Sequence, residues 1–121
     1  MEIINSKYYK GFEGEGEIQF IRYLSNGDTY ILQIWGGYFD EIMRQIEPEE
    51  DGWTGFAYHY NVEDPWWEQS WKVPDIGIVL DQLQKIKSAS LSQEAKELLL
   101  ELCKLLSSSK ELNEAVWIAG E

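Results

Sequence analysis

The chain has one histidine, His59, and one cysteine, Cys103, among its 121 residues, and this limits the nucleophilic and metal chemistry open to it. A cysteine nucleophile needs a neighbouring group that lowers its pKa. Cys103 instead falls inside the stripe Ala95, Leu98, Leu99, Leu102, Leu105 and Leu106, where burial raises the pKa, so it reads as a structural thiol. With so few His and Cys, a zinc site would depend on carboxylates, and none of the usual ligand spacings occurs. No metal and no cofactor are expected.

Carboxylates are the one catalytic resource in supply. A glycosidase sets one raised and one ordinary carboxylate across a sugar cleft, and Trp66, Trp67 or Trp71 could stack on a sugar ring. Acids beside Trp are equally at home in solvated loops, so no catalytic residue is assigned and the expectation is that the chain is not an enzyme. The run Glu47, Glu49, Glu50 and Asp51 offers oxygens to a hard cation such as calcium but lacks the alternate-position spacing of a calcium loop. It reads as an exposed acidic turn. GFEGEG, from Gly11 to Gly16, has the glycines of a phosphate cradle but no Lys, and it carries Glu13 and Glu15 where an anion would sit. It reads as a turn.

The remaining candidate chemistry is recognition. The stretch EPEEDGWTGFAYHYNVEDPWWEQSW, from Glu47 to Trp71, holds four of the six Trp, with one acidic turn leading into Trp53 and a second, Glu63-Asp64, leading into Trp66, Trp67 and Trp71. Neighbours on an extended loop alternate in direction, so Trp66 and Trp67 cannot both point inward, and an exposed Trp rimmed by acids suits a protein interface. The candidate partner-binding set is Glu49, Glu50, Asp51, Glu63, Asp64, Trp66, Trp67 and Glu68.

The elements that would position this stretch follow from periodicity. Met1 to Lys10 reads as a first strand, and Glu17 to Leu24 and Thr29 to Trp35 alternate as two more around Ser25-Asn26-Gly27-Asp28, a hairpin signal of type I′ chemistry. Gly36-Gly37 breaks the strand, and Phe39, Ile42, Met43 and Ile46 predict a short helix stopped by Pro48. Trp53 to Val62 reads as a fourth strand, with Phe56, Tyr58 and Tyr60 on its core face and Ala57 and His59 on the other.

After Pro74 the period becomes helical. Ile76, Val79, Leu80, Leu83 and Ile86 form one stripe, and Ser92 caps a second helix in which Leu100 lies off the stripe and predicts packing on two neighbours. Ser108 with Glu111 predicts a capping box and a third helix through Leu112, Ala115, Val116 and Ala119. The expected fold is α+β: an antiparallel sheet of about four strands against a C-terminal layer of three helices, with one short insert helix, as a single domain over residues 1–121.

Charge narrows the partner class. Twenty-two acids against ten Lys and Arg give −12, of which −9 lies in residues 1–74. Such a field repels phosphate backbones and anionic lipid and speeds encounter with a basic partner, so neither nucleic acid nor membrane is expected. A lone cysteine and no basic start followed by an apolar run give the expectation of a cytoplasmic protein.

In size, acidity and aromatic content, with EDPWWEQSWKVPD (Glu63 to Asp75) as the most suggestive segment, the chain resembles the small acidic immunity proteins of bacterial polymorphic and contact-dependent toxin systems. That resemblance implies a cytoplasmic α+β or helical domain that inhibits a basic toxin domain by tight binding. The alternatives are a small carbohydrate- or peptide-binding domain using exposed Trp, and a carboxylate-based hydrolase.

Overall fold

The computed structural model describes residues 1–47, 50, 52, 54–62 and 70–120. Its elements run β1 (Glu2–Tyr8), β2 (Glu17–Tyr23), β3 (Thr29–Trp35), α1 (Gly36–Met43), α2 (Gly55–Val62), β4 (Trp71–Lys72), α3 (Ile76–Gln84), α4 (Gln93–Leu112) and β5 (Val116–Gly120). The fold is α+β, with the helices packed on one face of a five-stranded sheet of order β1-β3-β2-β5-β4.

The β2–β3 hairpin forms as the alternation predicts, pairing Glu17↔Trp35 through Tyr23↔Thr29. Its turn differs from type I′. Only Gly27 adopts positive φ, at 94°, while the Asn26 side chain accepts the Asp28 N–H at 2.9 Å and Leu24 N–H closes the loop on Asp28 C=O. The first strand lies on the other side of β3 and runs parallel to it, so the sheet is mixed and not wholly antiparallel. This arrangement brings β1 and β3 to the same end, where the loop after β1 must cross. Phe12 in that loop stacks on Trp35 with centroids 4.2 Å apart and an interplanar angle of 5°. Gly37 leaves room for the same indole, since a Cβ there would lie 2.4 Å from Trp35 Cη2.

Two elements also take a different secondary structure from the expected one. Residues 55–62 are helical where a strand over Trp53–Val62 was predicted. Phe56 and Tyr60, one helical turn apart, both face the core, Ala57 is buried with them, and Tyr58 turns outward, 45% exposed. Aromatics at every second position had imitated the strand period, whereas contacts with α1 require the helical one. Phe56 packs on Phe20, Phe39 and Trp71, and Tyr60 packs on Phe39 and donates to Asp40 at 2.8 Å. Burial and that hydrogen bond push the Tyr60 phenol up to about 12.

The second failure is at the C-terminal end. Ser108 lies inside α4, a single helix of 20 residues, and does not begin a third helix. Ser92 caps α4 by accepting from Ala95 N–H, and Asn113, at φ 56°, ends it in the left-handed conformation. Val116–Gly120 then enters the sheet between β2 and β4, pairing Phe20↔Ile118 and Ile21↔Trp117. Val, Trp and Ile favour a pleated, half-buried surface, and here that preference prevails over the helical spacing. Leu100 is 65% exposed, so α4 does not pack on a second neighbour through it.

The helix-covered face supplies the core. Ile18, Phe20, Leu32, Ile34, Val116 and Ile118 from the sheet join Phe39, Ile42, Phe56, Val79, Leu83, Leu98, Leu102 and Leu106 from the helices in one apolar cluster. Cys103 packs at its margin, and burial pushes the thiol up. At the end of β2, Arg22 Nε donates to Glu114 at 2.7 Å, and Ser25 donates to the same carboxylate through its backbone N–H at 2.8 Å and its hydroxyl at 2.9 Å. The Ser25 backbone bond first, and then the side-chain bonds and charge of Arg22 and the Ser25 hydroxyl, hold the Glu114 carboxyl below the usual range.

Candidate binding surface

The opposite sheet face carries an apolar row that crosses four strands. By register Ile4 stands beside Ile31, Ile31 beside Ile21 and Ile21 beside Trp117, with Lys72 closing the row on β4. Side chains on a strand alternate, so these residues point away from Phe20, Leu32 and Ile118, and none of them belongs to the core cluster. Ile31 is buried between its neighbours, Ile21 and Trp117 are partly exposed, and Ile4 is 56% exposed. Tyr23, on the same face two residues beyond Ile21, is 47% exposed.

Polar groups frame the row. Gln19 and Gln33 stand one step along the strands on the open face, and Glu17, two steps away, accepts from Gln19 Nε2 at 3.1 Å and from Gln33 Nε2. The carboxylate is buried and hydrogen-bonded by two side chains, so it is a fixed acceptor behind the two amides and not a mobile surface charge. On the other flank Glu2 stands beside Thr29 and is exposed, and Asp28 follows in the adjoining turn. This is the arrangement of a recognition surface: an aromatic and aliphatic centre with a polar, mainly acidic margin.

Chemistry elsewhere is sparse among the described residues. A cleft of about 480 Å³ between the ends of α1 and α3 is lined by Gln45, Glu47, Gln82, Lys85, Lys87 and Ser90, among others. Glu47 is its one described carboxylate, so the paired acids of a glycosidase are not assembled there. No three of the described His, Cys, Asp and Glu lie together as metal ligands, and no described helix is long and apolar enough to cross a membrane.

Of the residues expected to bind a partner, Glu50 sits exposed in a turn. Glu49, Asp51, Glu63, Asp64, Trp66, Trp67 and Glu68 lie outside the described residues. Trp71, assigned to the same cluster, packs inward on Phe56 with ring centroids 6.0 Å apart. The Ile4–Trp117 row was missed, although it left a trace in the sequence. Ile21 and Ile31 stand at the off-phase positions of strands whose in-phase positions are already apolar, and a strand apolar at both phases has two faces that avoid water. Comparison of the chain with family models, with curated proteins and with solved structures found no match.

Proposed function

We propose that the chain is a non-enzymatic protein-binding module for a basic partner, and that it acts as a cytoplasmic bacterial immunity protein occluding a cationic toxin domain. The observation that carries this reading is the open sheet face, where Trp117, Ile21, Ile31 and Ile4 form an apolar row with Glu2 on one flank and the amides of Gln19 and Gln33, backed by Glu17, on the other, on a chain of net charge −12. Acids at the margin raise the association rate, and a central Trp sets the lifetime of the complex. The acidic turns and the Trp66-Trp67 pair are proposed as further partner contacts.

The test is co-purification with the product of the adjacent gene, followed by affinity measurements at two salt concentrations. Binding is expected to weaken as salt rises. Trp117→Ala is expected to weaken it on the order of 30-fold, the size of a hot-spot loss of about 2 kcal/mol, while the far-UV spectrum stays unchanged. Unaltered affinity in that variant would remove the open face from the proposal, and a parallel Trp66→Ala plus Trp67→Ala variant would show whether the second Trp cluster carries binding instead.

One observation favours a second reading. The fixed Glu17 carboxylate and the amides of Gln19 and Gln33, beside an aromatic ring, are the groups that recognise sugar hydroxyls. A carbohydrate-binding domain would change its Trp fluorescence with a simple saccharide and need no protein partner. An absence of response across a panel of neutral oligosaccharides would dispose of it.

A further inference from the structure

We infer that the free edge of β1 is a self-association edge, through which two copies of this chain pair antiparallel about a two-fold axis at Ile4 and join their sheets into one. Backbone direction is the basis. Thr29 N–H donates to Met1 C=O at 3.0 Å, and the register Glu2↔Thr29, Ile3↔Tyr30, Ile4↔Ile31 continues from it. Met1, Ile3 and Asn5 therefore turn their backbone groups toward β3, while Glu2, Ile4 and Ser6 turn theirs the other way. Among the described residues no strand pairs with that side.

An antiparallel pair sets outward-directed residues opposite one another. Centring it on Ile4 uses all three. Ile4 exchanges both backbone bonds with Ile4 of the second copy, and at either end Ser6 N–H donates to the Glu2 carbonyl. Centring on Glu2 would oppose two carboxylates, which destabilises a strand pair. Centring on Ser6 would run into the irregularity between Asn5 and Tyr8, where the Ser6 carbonyl already accepts from Tyr9 and Lys10.

Side chains agree with the Ile4 register. Ile4, 56% exposed in a single copy, would cover Ile4 of the second copy, and Ile3, 41% exposed on the other face, would pack beside Asn5 of the second copy. The row from Trp117 to Ile4 then continues without a break into its symmetry mate, giving an isologous interface. Edge strands that stay single are blunted by proline, by charge, by a bulge or by being short. β1 has seven residues and no proline, its bulge and its Lys7 both fall after Asn5 and leave Glu2 to Asn5 in regular register, and its only ionisable side chains besides tyrosine are Glu2 and Lys7, of opposite sign.

The edge is thus locally balanced while each chain carries −12 in total. That longer-range repulsion acts over about 10 Å at ~0.1 M salt and about 3 Å at ~1 M, so pairing tightens as salt rises, opposite to the binding of a basic partner. Sedimentation equilibrium on the intact chain at tens of micromolar is the test. The expected particle has twice the 14.1 kDa chain mass and a dimer constant that tightens with salt. Ile4→Pro removes an outward N–H that β3 does not use, and Ile4→Lys sets two cations face to face; each is expected to give a 14.1 kDa particle with an unchanged far-UV spectrum. A wild-type particle of single-chain mass at both salt concentrations overturns the inference, as does a dimer that weakens in salt or persists in Ile4→Pro. Should the proline variant lose its fold, Ile4→Lys decides, and a dimer there overturns it.

Discussion

Replacing Phe56 by Ala tests the least expected element of the fold, the helix Gly55–Val62. Phe56 is fully buried, with its ring 5.7 Å from Phe20, 6.2 Å from Phe39 and 6.0 Å from Trp71. A buried Phe removes about 150–250 Å² from water, which at ~25 cal/mol per Å² sets an upper bound of about 4–6 kcal/mol. Truncations of such residues cost about 3–5 kcal/mol, because the cavity relaxes only in part. Against a total stability of about 5–15 kcal/mol, Phe56→Ala should take about a fifth or more. Tyr58, two residues on and 45% exposed, should change by no more than about 0.5 kcal/mol when replaced by Ala. Urea unfolding followed by far-UV circular dichroism gives both values, with similar denaturant slopes showing that the same transition is compared. A strand would put Phe56 and Tyr58 on one face, so similar losses above about 2 kcal/mol in both variants would refute the helix.

Three further outcomes follow from local geometry. Gly37→Ala should lower stability by about 1–3 kcal/mol and shift Trp emission, because the indole its Cβ would meet at 2.4 Å is pinned by Phe12; an unchanged melting temperature and spectrum would contradict this. Asn113→Val should cost about 1–2 kcal/mol by thermal melting and Asn113→Gly almost nothing, since only the branched residue resists φ 56°. Glu114 has a folded pKa below its ordinary 4.5, so its contribution is complete above pH 4.5 and is lost as pH falls through the lowered value. Urea midpoints measured from pH 7 downward should therefore fall less steeply below pH 4.5 in Glu114→Gln than in wild type, and parallel acid limbs would contradict the assignment.

Part of this structure is legible in the sequence. Alternation in residues 17–35 fixes the hairpin, because a one-residue slip would turn Ile18, Phe20, Leu32 and Ile34 to the wrong face. The stripe Val79, Leu83 and the run from Ala95 to Leu106 fix two helices, and Ser92 fixes where the second begins. The acidity that tilts the functional reading toward a basic partner is a property of composition alone. The location of β1 was not legible, since a strand with mixed facing pairs equally well on either side of a hairpin.

Only the tertiary structure decided three points. Residues 55–62 carry aromatics at a spacing that satisfies both periods, and packing of Phe56 and Tyr60 against Phe39 selects the helix. The segment after Asn113 carries small and apolar residues that could extend a helical stripe, and the open side of β2 claims it as a strand. The apolar row Ile4, Ile31, Ile21 and Trp117 exists only once four strands are in register: the hairpin sets Ile21 beside Ile31 locally, but Ile4 and Trp117 join them from β1 and β5, which lie far from their partners along the chain. Local periodicity reports which face of a segment avoids water; which segments bring those faces together is a long-range decision, made by packing.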